Sequence, residues 1–241
     1  MESQSAPEPM FSFAFQPIVD TDARAVFSYE ALIRGPNNEP AYRILEQVSA
    51  ERLYPFDQRA RIRAIGLAAR LGIDCNLNLN FLPRSLYALP SSISETLEAA
   101  KKNHISIDRI VLEVTEGEVI DDTAHFSELM NEYRGLGVKV AIDDFGAGYS
   151  GLNLLANFQP DQIKLDMFLV RGIEGHGPRQ AIVRATCQAC RDLGIDVIAE
   201  GVETVEEYAW LMHAGVRLFQ GYLLAKPGFE SFPPVHYPES F

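Results

Sequence analysis

Residues 11–33 read FSFAFQPIVDTDARAVFSYEALI and contain two apolar runs, Phe11–Val19 and Ala25–Ile33. Only residues 20–24 separate the two runs. A crossover between parallel strands needs about a dozen residues or more and usually contains a helix. The two runs are therefore expected to pair as an antiparallel hairpin, so that one of these strands opposes the other.

Further apolar runs follow the hairpin, and most of them lead directly into a charged or amide residue. Short apolar runs that are bounded by loops and separated by helical patterns are typical of buried parallel strands. With the hairpin they make eight strands, which predicts an α/β fold, a TIM-like (β/α)8 barrel variant with one antiparallel strand in the N-terminal hairpin. The later strands are predicted at residues 75–79, 110–112, 138–142, 197–199 and 216–219, and around Ile163.

Helical periodicity fills the stretches between the later strands. Four of these stretches end in Leu-Gly or Ala-Gly, at Gly72, Gly137, Gly194 and Gly215, and glycine at such a position is a helix C-terminal stop. In barrels of this kind the chemistry lies at the carboxyl ends of the strands, where the polar residues that follow the apolar runs would meet. The helices are predicted at residues 59–71, 94–103, 125–135, 179–193 and 205–214.

The composition indicates a single domain over residues 11–241, preceded by a disordered polar lead over residues 1–10. The chain of 241 residues is close to the roughly 250 of a typical barrel, and its 47% hydrophobic content suffices for a core. It has no apolar stretch of membrane-spanning length and no signal-peptide pattern, so we expect a cytoplasmic protein without membrane contact. The net charge of −12 argues against binding duplex nucleic acid through its phosphates.

Asp143 and Asp144 follow the predicted strand at residues 138–142 and precede a glycine-containing segment. Two adjacent carboxylates at a strand end repel each other unless a cation lies between them or one of them is protonated. We interpret the pair as part of a divalent metal site. The alternative is that an aspartate here merely caps the next helix.

The segment at residues 146–151 also matches G-x-G-x-x-G and is followed by an acidic residue, Asp166. After a strand, this pattern is typical of dinucleotide-binding folds. The two aspartates directly before the glycines would face the pyrophosphate, however, and Pro160 would cut the following helix short. A flexible loop that closes over a metal site explains the glycines better.

Six short motifs occur in order along the chain. They are YEALIRG at 29–35, EVTE at 113–116, DDFGAGYS at 143–150, KLD at 164–166, AEGVET at 199–204 and QGY at 220–222. On these motifs the chain, from about residue 13 to 227, resembles the EAL domain family, the cyclic di-GMP phosphodiesterases of bacterial second-messenger signalling. A single Glu-Ala-Leu triplet would mean little, but six ordered motifs are specific. The family's fold is a barrel with one antiparallel strand, in agreement with the hairpin.

The resemblance implies hydrolysis of one phosphodiester bond of cyclic di-GMP to linear pGpG, by water attack assisted by two ions of Mg²⁺ or Mn²⁺. Oxygen ligands suit these hard cations, and two ions can lower the pKa of water and stabilise charge on the phosphate. We expect Ca²⁺ to inhibit, because it favours longer bonds and looser geometry. Matched by position, the implied ligands are Glu30, Asn80, Glu113 and Asp143 for the first metal, with Asp143, Asp144 and Glu200 for the second.

Among these ligands, Glu30, Asp144 and Glu200 are identified by the resemblance as catalytic, together with Lys164. Lys164 looks like the residue that orients the attacking water and offsets excess negative charge. The alternative for a buried lysine is a structural ion pair, with Asp166 as a partner.

The remaining matched positions concern the substrate and the glycine-containing loop. Gln16 and Arg34 match substrate-contacting positions, and Arg34 is suited to a bidentate phosphate contact. Gln220 looks like a hydrogen-bonding neighbour of Lys164, and we group it with Gln16 and Arg34 as a substrate-binding residue. Glu116 matches a glutamate that anchors the loop, although an exposed surface glutamate is the ordinary alternative.

The sequence departs from the common family pattern in two places. Ala147 stands where threonine is frequent, which leaves the carboxylates unchanged. The asparagine motif reads Asn76-Leu-Asn78-Leu-Asn80, and by period-two alternation all three asparagines share one strand face. The metal ligand could be Asn78, and we choose Asn80 because it lies nearest the strand's carboxyl end.

Two function classes follow from the resemblance. One is an active phosphodiesterase, and the other is a non-catalytic cyclic di-GMP receptor of the same fold, which arises when metal ligands or the lysine are lost. Every matched position is present, which favours the enzyme. We expect a homodimer, as in many relatives. The alternatives are that the chain acts alone or through an unidentified regulatory protein.

Overall fold

The computed structural model of the protein describes residues 9–89, 91–115, 123–148 and 155–238. Most of the predicted lead at residues 1–10 lies outside these ranges, and its disorder stays a prediction. The described ranges form one sheet that closes into a barrel of eight strands, with a short ninth strand added to β1. The strands are β1 (Ser12–Asp20), β2 (Ala25–Arg34), β3 (Asn76–Asn80), β4 (Ile110–Thr115), β5 (Lys139–Phe145), β6 (Gln162–Leu165), β7 (Asp196–Ala199), β8 (Leu218–Phe219) and β9 (Gly228–Phe229).

The barrel closes through β1. This strand is antiparallel to β2 over its whole length and antiparallel to β8 at its end, whereas each strand from β2 to β8 is parallel to the next. The predicted fold, a barrel with one antiparallel strand in the N-terminal hairpin, is confirmed. In the hairpin register Gln16 lies opposite Glu30, which places two predicted site residues side by side.

The predicted helices are present, and their bounds differ from the predictions by up to six residues. The largest difference is α2, which begins at Leu53 because Pro55 fits in the first turn, where backbone N–H groups have no helical partner. All four predicted stop glycines have a positive φ. The helices are α1 (Ala41–Leu45), α2 (Leu53–Arg70), α3 (Ser85–Ala88), α4 (Ser92–Lys102), α5 (Thr123–Gly135), α6 (Met167–Val170), α7 (Gly177–Leu193) and α8 (Val205–His213), with 3-10 turns at Ala50–Arg52, Ile107–Arg109 and Ile173–Gly175.

The hairpin has no crossover helix to cover its outer face, because β1 and β2 are joined by a short turn. The C-terminal residues 228–238, which we call the C-terminal strap, lie there instead. Phe232 of the strap stacks on Tyr29 with ring centroids 4.2 Å apart and meets Phe15 edge-on at 5.1 Å. Both partners alternate with the inward-facing Gln16 and Glu30, so the strap packs directly behind the site.

Among the described residues, no helix combines the length and the apolar character needed to cross a membrane.

Candidate functional site

The predicted site residues converge at the end of the barrel where the parallel strands finish. Glu30 belongs to β2, Glu113 to β4, Asp143 to β5 and Lys164 to β6, while Glu200 directly follows β7. Their side chains come from neighbouring strands, and inward-facing residues of neighbouring strands meet in the barrel interior. The convergence expected from the apolar runs is thus present in the structure.

Asp143 and Asp144 both reach the site because β5 is irregular there. In a regular strand two adjacent side chains point to opposite faces. Between Ile142 and Phe145, however, β5 carries one more residue than the β6 segment with which it pairs. Asp144 takes up a left-handed conformation with a φ of 54°, which aspartate tolerates better than most residues. This bulge, rather than regular strand alternation, accounts for the paired carboxylates.

Lys164 lies at the centre of the site and is 1% exposed. Four carboxylates surround its ammonium group. The distances from Lys164 Nζ are 3.2 Å to Glu30 Oε2, 2.9 Å to Glu113 Oε1, 3.0 Å to Asp143 Oδ1 and 2.5 Å to Glu200 Oε1.

The charge of Lys164 is held by these carboxylates. Burial alone lowers the pKa of a lysine, but Asp143, Glu113, Glu200 and Glu30 outweigh burial and raise the pKa of Lys164 well above its usual value. Lys164 therefore stays a cation within the barrel. Asp166 is not among the ion-pair partners of Lys164 in the described part of the chain, and its carboxylate instead accepts a hydrogen bond from Phe168 N at 2.7 Å and caps α6.

One ammonium group does not neutralise the carboxylates of the site. Burial raises the pKa of Glu113 to about 8, Glu30 adds to the rise and Lys164 opposes it. Burial also raises the pKa of Glu200 well above its usual value, against the effect of Lys164. Burial and the adjacent Asp143 raise the pKa of Asp144 to about 6. The ionised forms of these carboxyl groups are thus unfavourable as the site stands, and a bound cation would stabilise them.

The carboxylates form two groups that could each hold an ion. Within each group the ligand oxygens lie within 4.8 Å of one another, and Asp143 belongs to both. Sets made only of oxygen ligands fit Mg²⁺ or Mn²⁺ rather than a softer metal. The groups are Glu30 with Glu113 and Asp143, and Asp143 with Asp144 and Glu200.

Asn78 and Asn80 both border the first group. Asn78 is fully buried, and its Nδ2 donates to Glu113 Oε1 at 2.8 Å. Its Oδ1, like Glu113 Oε2, is buried and has no hydrogen-bond partner among the described residues, which fits a nearby cation. Asn80 is exposed at the end of β3, and its Nδ2 lies 3.4 Å from Glu30 Oε1. The choice of Asn80 over Asn78 stays a prediction.

Two buried glutamines lie on the other side of Glu30, and one of them bonds to its carboxylate. Gln220 Nε2 donates to Glu30 Oε2 at 2.7 Å and lies 3.4 Å from Gln16 Oε1. Gln16 Nε2 in turn donates to Ala225 O at 3.2 Å. Gln220 therefore contacts Glu30, which is itself a partner of Lys164, and Gln16 lies beside Gln220.

The site opens into a cleft of about 330 Å³. Beside it lies a mostly apolar cavity of about 370 Å³, and Glu30 lines both. Arg34 lines the apolar cavity rather than the cleft, and its Nη1 donates to the adjacent Ile33 O at 2.7 Å. Several lining residues of the cleft had no role assigned from the sequence, and three of them have long polar or aromatic side chains. Glu203 and Tyr222 fall within recognised motifs, whereas Arg171, which forms an ion pair with Glu203, carries no motif signal.

The glycine-containing segment is described only at residues 146–148, and Glu116 lies outside the described residues. A Cβ at Gly146 would lie 2.4 Å from Leu169 Cδ1, and Gly146 has a φ of 98°. This glycine therefore allows the loop to approach α6 closely. The closed barrel also excludes the doubly wound sheet of a dinucleotide-binding fold.

Residues 4–227 match the family model described as EAL domain. The chain is 38% identical over 228 residues to the blue light- and temperature-regulated antirepressor BluF of Escherichia coli K12, covering 94% of this chain and 57% of BluF. It is 35% identical over 161 residues to the cyclic di-GMP phosphodiesterase RocR of Pseudomonas aeruginosa, covering 66% of this chain and 40% of RocR. The chain thus spans about half the length of these two relatives.

Solved structures give the same relationship. A standalone EAL protein from Vibrio cholerae O395 in its c-di-GMP-bound form superposes with a TM-score of 0.91 at 48% identity, covering 96% of this chain and 98% of that one. Klebsiella pneumoniae BlrP1 in complex with calcium and cyclic di-GMP gives 0.90 at 42% identity, covering 98% of this chain and 60% of BlrP1. BlrP1 has also been solved with manganese and cyclic di-GMP.

Proposed function

Since the chain belongs to the EAL domain family, we propose that it hydrolyses one phosphodiester bond of cyclic di-GMP and releases linear pGpG. The observation that carries this proposal is the arrangement around Lys164, where two groups of oxygen ligands share Asp143 beside an open cleft. Relatives of this chain are named as cyclic di-GMP phosphodiesterases or have been solved with cyclic di-GMP bound.

The metal ligands divide as the two carboxylate groups do. Glu30, Glu113 and Asp143, with Asn80, would hold one Mg²⁺ or Mn²⁺, and Asp143, Asp144 and Glu200 would hold the other. When bound, such ions lower the pKa of water and offset negative charge on a phosphodiester.

The side chains around the metal ligands have separate tasks. Lys164 keeps its proton, so its ammonium group donates hydrogen bonds, orients the attacking water and offsets charge at the phosphate. Gln220 holds Glu30 in place through the bond of 2.7 Å and contacts the substrate with Gln16. Glu116 anchors the glycine-containing loop.

The charged and the apolar parts of the substrate match the polar cleft and the adjoining apolar cavity, respectively. Its charged diester lies in the polar cleft, and one of its bases lies in the apolar cavity on the other side of Glu30. Arg34 lines that cavity, and in this proposal its guanidinium makes a bidentate contact with a phosphate between the cleft and the cavity.

A second candidate function is a non-catalytic cyclic di-GMP receptor. The relative BluF favours it, because that protein is named an antirepressor rather than a phosphodiesterase. The complete set of carboxylates around Lys164 favours catalysis, since a receptor needs to hold the ligand but not to activate water.

The remaining features of the proposal concern the setting of the enzyme. It works in the cytoplasm as a homodimer, receives its input through an unidentified regulatory protein, and binds neither membranes nor duplex nucleic acid. The net charge of −12 supports the last point.

The test is incubation of the purified chain with cyclic di-GMP and Mg²⁺ or Mn²⁺, followed by chromatographic separation of pGpG. We expect turnover with either ion, none in excess chelator and inhibition by added Ca²⁺. Full turnover in chelator contradicts the metal-assisted mechanism. Binding of cyclic di-GMP without any turnover in Mg²⁺ or Mn²⁺ supports the receptor instead.

A further inference from the structure

Lys164 in β6 and Glu200, directly after β7, make the shortest of the four contacts between Lys164 and a carboxylate, at 2.5 Å. Lys164 lies in β6, one residue before Leu165, while Glu200 is the first residue after β7. β6 and β7 pair in parallel up to Leu165 and Ala199, and beyond this ladder Glu200 N donates to Leu165 O at 3.3 Å. The segments after the two strands are residues 166–176 and 200–204, and Glu200 begins the second of them. The position of the Glu200 carboxylate therefore depends on how this second segment lies against the first, in addition to the ladder.

Glu207 joins these two segments from below the site. It lies in the first turn of α8 and is 3% exposed. Its Oε2 accepts hydrogen bonds from Glu203 N at 2.9 Å and Thr204 N at 3.2 Å, both in the segment after β7. Its Oε1 accepts from Gly172 N at 3.0 Å, in the segment after β6.

Only part of this arrangement is ordinary helix capping. Thr204 Oγ1 accepts from Glu207 N at 3.2 Å, and the pair forms a capping box. The bond to Gly172 has no place in a capping box, because Gly172 follows a different strand. Burial works to raise the pKa of Glu207, but the three backbone N–H groups outweigh it and lower the pKa. Glu207 therefore remains an anion that both segments bind.

The two segments also pack without spare room. A Cβ at Gly201 would lie 2.8 Å from the Met167 Cβ. Arg171 and Glu203 form an ion pair across the same boundary, but both are partly exposed to solvent. Among these contacts, the Glu207 side chain is the buried one. Water therefore competes little for its hydrogen bonds to the two segments.

We propose that Glu207 is a positioning residue, which fixes the Glu200 carboxylate relative to Lys164 by tying the segments after β6 and β7 together. The inference rests on the proposed function for its effect on catalysis, since Glu207 itself contacts neither the substrate nor the proposed ions. Substituting a residue that orients a metal ligand typically lowers metal affinity or activity about ten- to a hundredfold.

Glu207→Gln tests the inference because glutamine has one acceptor oxygen where two are used. Its amide nitrogen would face either Gly172 N or the two N–H groups of residues 203 and 204, and that side of the link would be lost. The matched control is Thr204→Ala, which removes the other half of the capping box and leaves the Glu207 carboxylate in place.

The experiment measures Mn²⁺ affinity by calorimetry, and kcat and KM for cyclic di-GMP, in both variants. For Glu207→Gln we expect Mn²⁺ binding to weaken about tenfold or more, with kcat reduced and KM little changed. Thr204→Ala should leave Mn²⁺ affinity and kcat within about twofold of wild type, even if it lowers the thermal stability as much as Glu207→Gln does. If Glu207→Gln does not fold, Glu207→Asp replaces it, since its side chain is too short to reach both segments.

Equal losses in Glu207→Gln and Thr204→Ala would reduce Glu207 to helix capping and overturn the inference, as would unchanged Mn²⁺ affinity in Glu207→Gln. The two arms separate this inference from the proposed function. A wild-type chain that binds Mn²⁺ without hydrolysing cyclic di-GMP contradicts the proposed function, while the Mn²⁺ measurements still decide the role of Glu207.

Discussion

The ring of Phe232 lies 4.2 Å from the ring of Tyr29, with their planes inclined by 22°. Tyr29 is the outward neighbour of Glu30 on β2, and Phe232 belongs to the C-terminal strap. The stacked pair therefore covers the face of the hairpin where other strands have a crossover helix. It also places an aromatic contact directly behind a carboxylate of the site.

Replacing Phe232 by alanine should lower the free energy of unfolding. The ring is partly buried and stacks on Tyr29, so we expect a loss of about 2–3 kcal/mol in urea denaturation. Leu136→Ala is the control, because Leu136 is 57% exposed and should change stability by less than about 0.5 kcal/mol. Equal effects of the two substitutions would show that the strap does not stabilise the barrel.

Replacing Lys164 by methionine should leave its four carboxylate partners without a buried counter-charge. We expect the free energy of unfolding in chelator to fall by about 3 kcal/mol or more, and Mn²⁺ to restore part of it. Turnover of cyclic di-GMP should be lost in either case. Lys139→Met is the control, because Lys139 begins β5 at the far end of the barrel from the site. Its Nζ makes a long hydrogen bond of 3.4 Å to Asn76 Oδ1. A loss no larger than in this control would contradict the electrostatic role.

Asp144→Asn should separate catalysis from binding. The substitution keeps the shape of the side chain and removes one charge from the second carboxylate group. We expect pGpG production to fall about a thousandfold or more, while cyclic di-GMP affinity changes far less. Asp192→Asn, at an exposed site on α7, serves as the control. Near-normal turnover in Asp144→Asn would remove this residue from the mechanism.

Arg34→Ala should weaken substrate binding more than folding. The Arg34 guanidinium bonds to the adjacent Ile33 O and lines the apolar cavity, so few tertiary contacts are lost with it. Loss of a charge-assisted phosphate contact should reduce cyclic di-GMP affinity about tenfold or more. Calorimetry in the Asp144→Asn background avoids turnover during the titration, and Arg70→Ala on the exposed end of α2 is the control. Undiminished affinity would place Arg34 outside the binding site.

The contribution of Glu207 to stability should depend on pH. Its folded-state pKa lies below the usual value for glutamate, about 4.3, because three backbone N–H groups bind the carboxylate. The stabilisation is therefore complete above the unfolded-state pKa and is lost as the pH falls through the lower folded-state pKa. The difference in unfolding free energy between wild type and Glu207→Gln should stay constant down to about pH 5 and shrink below about pH 4.

Urea denaturation in chelator at several pH values measures this difference without a contribution from bound metal. The effect of Thr204→Ala should not vary in the same way, because a hydroxyl does not titrate in this range. A Glu207→Gln difference that persisted unchanged to pH 3 would contradict the hydrogen bonding described for the carboxylate.

The barrel and its antiparallel strand could be predicted because both depend on local features of the sequence. The length of the turn at residues 20–24 allows only a hairpin, and periodicity separates helices from strands. Because the carboxyl ends of parallel strands meet at one end of a barrel, residues as distant as Glu30 and Glu200 could be placed together.

The features that escaped prediction depend on how segments pair in three dimensions. The bulge that turns Asp144 into the site exists only because β5 carries one residue more than its partner β6. The bond from Gly172 to Glu207 spans two separate segments, and neither residue's sequence context indicates it. Asn78 and Asn80 share a strand face, so alternation alone could not choose between them.

The direction of β1 determines where an attached polypeptide meets the barrel. Because β1 is antiparallel to β2, Ser12 lies opposite Arg34, which lines the apolar cavity beside the cleft, rather than at the far end of the barrel. The chain therefore enters β1 beside the apolar cavity, and Gln16, which lines the cleft, follows Ser12 by four residues on the same strand.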